Sequence, residues 1–444
     1  MPQKLNPQEA ALLIKDTDEL TFPLATGQPG ELLQQLSTRS NWKDLKIFTG
    51  LLTFPFPLFT QKGVSVTSGY YGPIERYLNK EGFLMEYLPS SFTGFETYAL
   101  RKKFRVIATT LSPADADGYH TFGTHGAAIY KPFVEACKNP DQITIAEINN
   151  NMPLVYGTKE FGDNKIHHDA LNYFIESNQS SLEPQIPEIN ETEKRIAENV
   201  VNLIQDKATL QLGIGTIPNY VAELLAKSSL GDFGVHSELI SDGFIKLFEA
   251  GKISNRHKGI FDGSSIFTFA LGSKNLYDLL DERNGKNKRQ VLCLPVSVVN
   301  NPHYIAQNRN FVSINSGLTI DFAGQVCSEA IGLKQYSGVG GQLSFVQGAF
   351  DAIDGKSILC IKSTATVKGQ LVSNIVPTLP QGSLVSTPRH YVQYIVTEYG
   401  TANLYGVSDE ERAQKLIPLA HPQFREELSQ AYENIQKEYY KTKS

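Results

Sequence analysis

Four runs in the second half of the chain, QVLCLPVSVV (290–299), FVSINSGLTI (311–320), KSILCIKST (356–364) and HYVQYIVTE (390–398), are apolar almost without interruption. A strand with one wet face alternates apolar and polar residues; a continuous apolar run belongs to a strand covered on both faces. Helical patterns separate the runs, so the expected architecture is α/β with mainly parallel sheets.

A chain of 444 residues exceeds one ordinary core. The stretch NQSSLEPQIPEINETEK (178–194) is polar, carries two prolines and lacks apolar periodicity, which is how a linker reads. This places a boundary near residue 185 and gives two domains, 1–185 and 186–444. The two halves open alike: LLIKDTDELTFPLATGQPGELLQQL (12–36) and NLIQDKATLQLGIGTIPNYVAELL (202–225) both run helix end, Asp turn, apolar strand, Gly/Pro loop and amphipathic helix. Asp16 and Asp206 occupy the same slot. One pair of segments leaves duplication open as an explanation.

Charge and composition narrow the function. The formal net charge is -5, so no basic field is present to hold a nucleic-acid backbone. The first residues, MPQKLNPQEAALLIKDTDEL, contain no apolar h-region of a secretory signal, and IFTGLLTFPFPLF (47–59) is too short and proline-broken to span a bilayer. No membrane partner is expected. Cys137, Cys293, Cys327 and Cys360 are scattered with no CxxC pair, which fits reduced thiols in a cytoplasmic protein. His167 and His168 lack partners at ligand spacing, and no metal is expected.

The stretch DFGVHSELISDG (232–243) begins as a buried strand and then carries Glu238 where an apolar residue would fit. Strand Thr209–Leu212, loop GIGTIPN (213–219), helix YVAELLAKSSL and strand DFGVHSE form a strand-helix-strand unit. Right-handed crossover brings the glycine loop and Glu238 to the carboxyl ends of neighbouring parallel strands, where open α/β sheets bind ligands. Two plainer readings stay open: Glu238 as a carboxylate at a helix start, and GIGTIPN as a tight turn. A dinucleotide fingerprint is disfavoured, because Pro218 stands where the third glycine of GxGxxG belongs, and no GxxxxGK[ST] occurs. A second constellation lies in YSGVGGQLSFVQGAFDAIDGKSILCIKSTA (336–365). Gly338, Gly340 and Gly341 let the backbone approach a ligand closely, and their N–H groups can converge on an anion or a developing oxyanion.

These segments, in order, match a family. GIGTIPN, HSELISDG, SGVGGQLSFVQGA, KSTA, YIVTEYGTANL and AHPQFREEL resemble the acetyl-CoA hydrolase/transferase family, and LSPADADGYHTFG (111–123) and AEINNNMPLVYG (146–157) extend the likeness into the first half. The resemblance implies two similar CoA-transferase-like α/β domains with the active site between them. It places the catalytic glutamate on Glu238, the CoA-facing loop on Gly213, Ile214, Gly215, Thr216 and Ile217, and the glycine-rich loop on Gly338, Gly340 and Gly341. Asn315 and Lys362 fall where ligand contacts are expected. Coenzyme A and acyl-CoA are then substrates with short-chain carboxylates of the acetate, butyrate and 4-hydroxybutyrate type, with no prosthetic group, and a homodimer is expected.

The implied chemistry suits a glutamate, since a carboxylate can attack a thioester and later carry CoA as its own thioester. Ionisation favours a polar, hydrogen-bonded setting, to which His236 and Ser237 are candidates to contribute. The segment GFETYALRKK (94–103), with Glu96 and three basic residues, departs from the apolar stretch expected there and leaves acyl selectivity open. A CoA thioester hydrolase on the same scaffold and a non-catalytic ligand-binding protein are the competing readings.

Overall fold

The computed structural model describes residues 1–185, 187–213, 215–287 and 290–440. Two eight-stranded sheets dominate it, one built from residues 3–177 and the other from residues 209–403.

In the first sheet the central strand Glu19–Thr21 lies between Leu45–Thr49 and Val106–Leu111. Val64–Ser68 and Met85–Tyr87 extend it on one side; Ile143–Asn149, Tyr173–Ser177 and Gln3–Lys4 extend it on the other, and every pairing is parallel. In the second sheet Thr209–Leu212 lies between Gly234–Ile240 and Phe311–Ser316. Ser265–Ala270 and Val291–Cys293 follow on one side, Lys356–Cys360 and Tyr394–Thr397 on the other, all parallel. Only the edge hairpin partner Gly400–Asn403 runs antiparallel.

Seven strands follow the same order in both sheets, which is the structural form of the repeated opening; the eighth differs, being the parallel N-terminal Gln3–Lys4 in the first and the antiparallel Gly400–Asn403 in the second. Asp16 and Asp206 each precede their central strand by three residues and each grips the chain near the start of the neighbouring strand. The Asp16 carbonyl accepts from Lys43 N at 2.9 Å, and Asp206 Oδ1 accepts from Gly231 N at 2.8 Å. The apolar runs of the second half are buried as expected: Val291, Leu292, Cys293, Phe311, Val312, Ile314, Ile358, Leu359, Ile395 and Val396 are core residues. Strands such as Thr209–Leu212, Ser265–Ala270 and Val291–Cys293 are buried at every position and hence on both faces.

The helix Pro422–Tyr440 packs on the second half, where Leu428, Phe424 and Tyr432 join a cluster with Ile320, Phe322 and Leu416. All four cysteines are free thiols. Among the described residues no helix is long and apolar enough to cross a membrane.

Candidate active site

The carboxyl edges of the two sheets face each other across a cavity of about 290 Å³. The first half supplies Leu24, Gly50, Leu51, Gly69, Tyr70 and the segment Ser90–Phe92, each just past a strand end; the second supplies Gly213, Glu238, Phe269 and Asn315. A shared apolar cluster underlies it, joining Leu24, Phe92 and Phe95 to Leu239, Phe269 and Val296. The repeat places the two halves in register: Lys46 pairs with Glu19 as Gly234 pairs with Thr209, so Glu238 corresponds to Gly50, and both line the cavity.

Glu238 is not a helix cap. Its strand continues to Ile240, and the next helix begins at Asp242 behind Ser241. Strand alternation sends Glu238 to the same face as His236. Asn300 Nδ2 donates to Glu238 Oε2 at 2.5 Å, and the Gly341 backbone N–H also points at the carboxylate. Both favour the charged form, yet burial outweighs them and pushes the carboxyl up to about 7. The polar setting expected from sequence is thus present in its hydrogen bonds, but the pocket is drier than expected.

The side chains of His236 and Ser237 make their hydrogen bonds away from the Glu238 carboxylate. His236 Nε2 donates to Val299 O at 2.8 Å, while its Nδ1 accepts from Asn308 Nδ2 at 3.0 Å. Burial holds this imidazole down to about 3, so it is neutral. Ser237 Oγ donates to Leu239 O at 2.7 Å. His236 instead ties the strand to the end of helix Val296–Val299, from which Asn300 reaches Glu238. Asn300 is a contributor that the sequence alone did not disclose.

Gly338, Gly340 and Gly341 line the cavity, and the first half holds this loop there. Phe92 N donates to Gly340 O at 3.2 Å, and Arg76 Nη1 donates to Tyr336 O at 2.7 Å. Gly340 has a φ of 56°, the left-handed region that favours glycine. A β-carbon on Gly338 would come 2.5 Å from the ring of Tyr70, and one on Gly341 would overlap Glu238 Oε2 and Asn300 Nδ2. Burial and the nearby Glu238 push the Tyr70 phenol up to about 12.

The remaining expected residues divide. Gly213 and Asn315 line the cavity, where Asn315 Nδ2 donates to Gln211 Oε1 at 3.0 Å. Gly215, with a φ of 124°, and Thr216 start the helix Thr216–Lys227, while Ile217 is buried in the core of the second half. Ile214 lies outside the described residues. Lys362 stands off the cavity lining, its Nζ 2.8 Å from Glu193 Oε1, with its side chain 46% exposed. His168 Nδ1 is hydrogen-bonded to His120 Nε2 at 3.0 Å. Among the described residues no group of three or more His, Cys, Asp or Glu is placed to hold a metal ion.

Comparison with known proteins identifies the family. A family profile described as the acetyl-CoA hydrolase/transferase C-terminal domain matches residues 272–432. A 4-hydroxybutyrate coenzyme A transferase of Clostridium kluyveri is 39% identical over 430 residues, covering 95% of each chain. A butyryl-CoA:acetate CoA-transferase of Anaerostipes caccae is 34% identical over 96% of this chain and 95% of its own. Among solved structures, RipA from Yersinia pestis superposes with a TM-score of 0.85 at 31% identity over 98% of this chain and 97% of its own. The chain therefore belongs to the acetyl-CoA hydrolase/transferase family and is an enzyme of the CoA-transferase type.

Proposed function

We propose that the protein transfers CoA from a short-chain acyl-CoA to a carboxylate of the acetate, butyrate or 4-hydroxybutyrate type by a ping-pong route in which Glu238 becomes bonded to CoA. One observation carries this reading: among the described residues lining the cavity between the two sheets Glu238 is the single carboxylate, and it sits between two hydrogen-bond donors.

Asn300 occupies Oε2, which leaves Oε1 as the attacking atom. Oε1 adds to the thioester carbonyl, the C–S bond breaks, and CoA departs as thiolate, leaving an acyl-glutamyl anhydride. The thiolate then attacks the glutamyl carbonyl, the first acid leaves as its carboxylate, and a glutamyl-CoA thioester remains. An incoming carboxylate reverses these steps and departs as a new acyl-CoA. When the thiolate attacks, negative charge develops on a glutamyl oxygen, and the Asn300 amide and Gly341 N–H already face that group. A donor so placed is worth about 3 to 4 kcal/mol. The partly dehydrated carboxylate is also a better nucleophile than one in water, at the cost of being half protonated near pH 7.

On this reading residues 1–185 and 186–444 are the two domains, supported by sheets that end at Ser177 and resume at Thr209. The loop that begins at Gly213 approaches CoA, supported by Gly213 and Glu238 both lying in the cavity lining, while Ile217 anchors it in the core. The homodimer rests on the family likeness, and the cytoplasmic setting on the scattered free thiols.

The test is to incubate the protein with butyryl-CoA and no acceptor, then map the adduct by peptide mass. CoA on the peptide containing Glu238, followed by acetyl-CoA formation when acetate is added, is the expected result. An adduct on another carboxylate would remove Glu238 from this role. Acetate-independent release of free CoA alone would make the enzyme a hydrolase.

A further inference from the structure

The cavity that holds Glu238 contains no cation: among its described lining residues Glu238 is the only charged side chain. The wall beside it is apolar, formed by Leu24, Leu51, Phe92 and Phe95 from the first half with Leu239 and Phe269 from the second.

The charges of GFETYALRKK are turned away from this wall. In the helix Phe92–Lys102, Phe92 and Phe95 are three residues apart and share the face that lines the cavity. Glu96 is buried on another side, 3.9 Å from Lys131 Nζ, which itself donates to Ser297 Oγ at 2.6 Å. Lys102 pairs with Glu19 at 2.7 Å. Arg76, near the mouth, is engaged with the Tyr336 carbonyl and lies over that ring at 4.6 Å.

We infer that the acyl subsite takes apolar monocarboxylates and excludes four-carbon dicarboxylates. This rests on the transferase reading for the identity of the substrate, and on the lining residues for its selectivity. With one carboxyl group at Glu238, the second carboxylate of succinate would have to lose its water against phenylalanine and leucine with no counter-ion, close to a like charge. Discrimination of this kind, against an unpaired buried charge, is far stronger than a hydrophobic pocket achieves between two apolar acids. Within the monocarboxylates, each methylene buried on the wall should favour the longer acid by roughly fourfold.

The experiment measures kcat/KM for acetate, butyrate and succinate as acceptors with propionyl-CoA as donor. Butyrate is expected to exceed acetate by about fifteenfold and succinate by a hundredfold or more. Succinate used as well as butyrate would overturn the inference while leaving the transferase reading intact. If no acid accepts CoA, that reading fails, and selectivity is read instead from binding to the Glu238→Gln protein. Butyryl-CoA binding at least tenfold more tightly than succinyl-CoA by calorimetry supports the inference; equal binding overturns it. A Leu51→Arg variant, with a cation placed in the wall, should raise succinate relative to butyrate at least tenfold. Should that variant not fold, the wild-type comparisons still decide.

Discussion

The side-chain amide of Asn300 donates to Glu238 Oε2 across 62 positions of sequence, at 2.5 Å. The amide is placed by its neighbour: Val299 O accepts from His236 Nε2, and His236 is on the same strand face as Glu238. The strand that carries the nucleophile thus also fixes the residue that orients it. Among the described residues Asn300 Oδ1 is buried with no hydrogen-bond partner, so the Glu238 contact is the one hydrogen bond that the amide makes there.

Asn300→Ala should therefore lower kcat/KM about a hundredfold, the cost of one donor at such a site. Because that donor favours the ionised carboxylate, its loss should also move the acid limb of the pH profile upward. A rate loss with an unmoved limb would show that Asn300 acts on the substrate and not on Glu238.

The wild-type pH profile follows from the same balance. Burial raises the Glu238 carboxyl to about 7, and only the ionised form attacks. In the free enzyme kcat/KM should rise with pH through about 7 and then level off. An acid limb near 4.5, the ordinary glutamate value, would mean that Glu238 is more hydrated than its surroundings imply.

Gly341 offers a steric test. Its φ of -100° suits any residue, so Gly341→Ala costs no backbone strain. The new methyl group nevertheless overlaps Glu238 Oε2 and Asn300 Nδ2. Transfer should fall a hundredfold or more, while stability changes by about 1 to 3 kcal/mol. At Gly213 the nearest atom to a new β-carbon is Ile314 O at 3.6 Å, so Gly213→Ala should fold normally. Calorimetric unfolding beside turnover separates the two effects, and equal losses at Gly341 would favour a plain turn role.

Lys362 is the counter-case. Its ammonium is paired with Glu193 on a half-exposed surface away from the cavity lining. Lys362→Met should change stability by under about 1 kcal/mol and leave kcat nearly unchanged. A large rise in the KM for acyl-CoA would show that the pair opens to receive the CoA phosphates.

What could be read from sequence was what is local. The strand Thr209–Leu212, the loop after it, the strand carrying Glu238 and the SGVGG turn each show their character within about ten residues, because strand burial and glycine geometry are local properties. The repeated opening at Asp16 and Asp206 was legible for the same reason. What stayed hidden depends on the fold bringing distant segments together. Asn300 follows an apolar run with no motif of its own, and Phe92 and Phe95 meet Phe269 only because two sheets face each other. His236 was a candidate for Glu238's polar setting because it is two residues away; its neighbours in space are Val299, Asn308 and a ring of aromatics. Lys362 sits in a conspicuous motif, yet Glu193, 169 positions earlier, takes its charge.

Glu238→Gln tests whether the nucleophile is carried at a thermodynamic cost. A carboxyl whose folded value is about 7, above its ordinary 4.5, favours folding fully when protonated. That contribution is intact below about pH 4.5 and is lost as pH rises through about 7, because the folded chain must then bury a charge. Glutamine keeps the shape and the acceptor for Asn300 without the charge. The variant should therefore be inactive in transfer yet more stable than wild type at pH 8, by about 1 to 3 kcal/mol. The gap should shrink as pH falls, to about a quarter of its pH 8 value at pH 5. Denaturant unfolding of both proteins at pH 5, 6.5 and 8 measures this directly. A variant that is uniformly less stable at all three values would mean that the charged carboxylate is a net stabilising element of the folded chain.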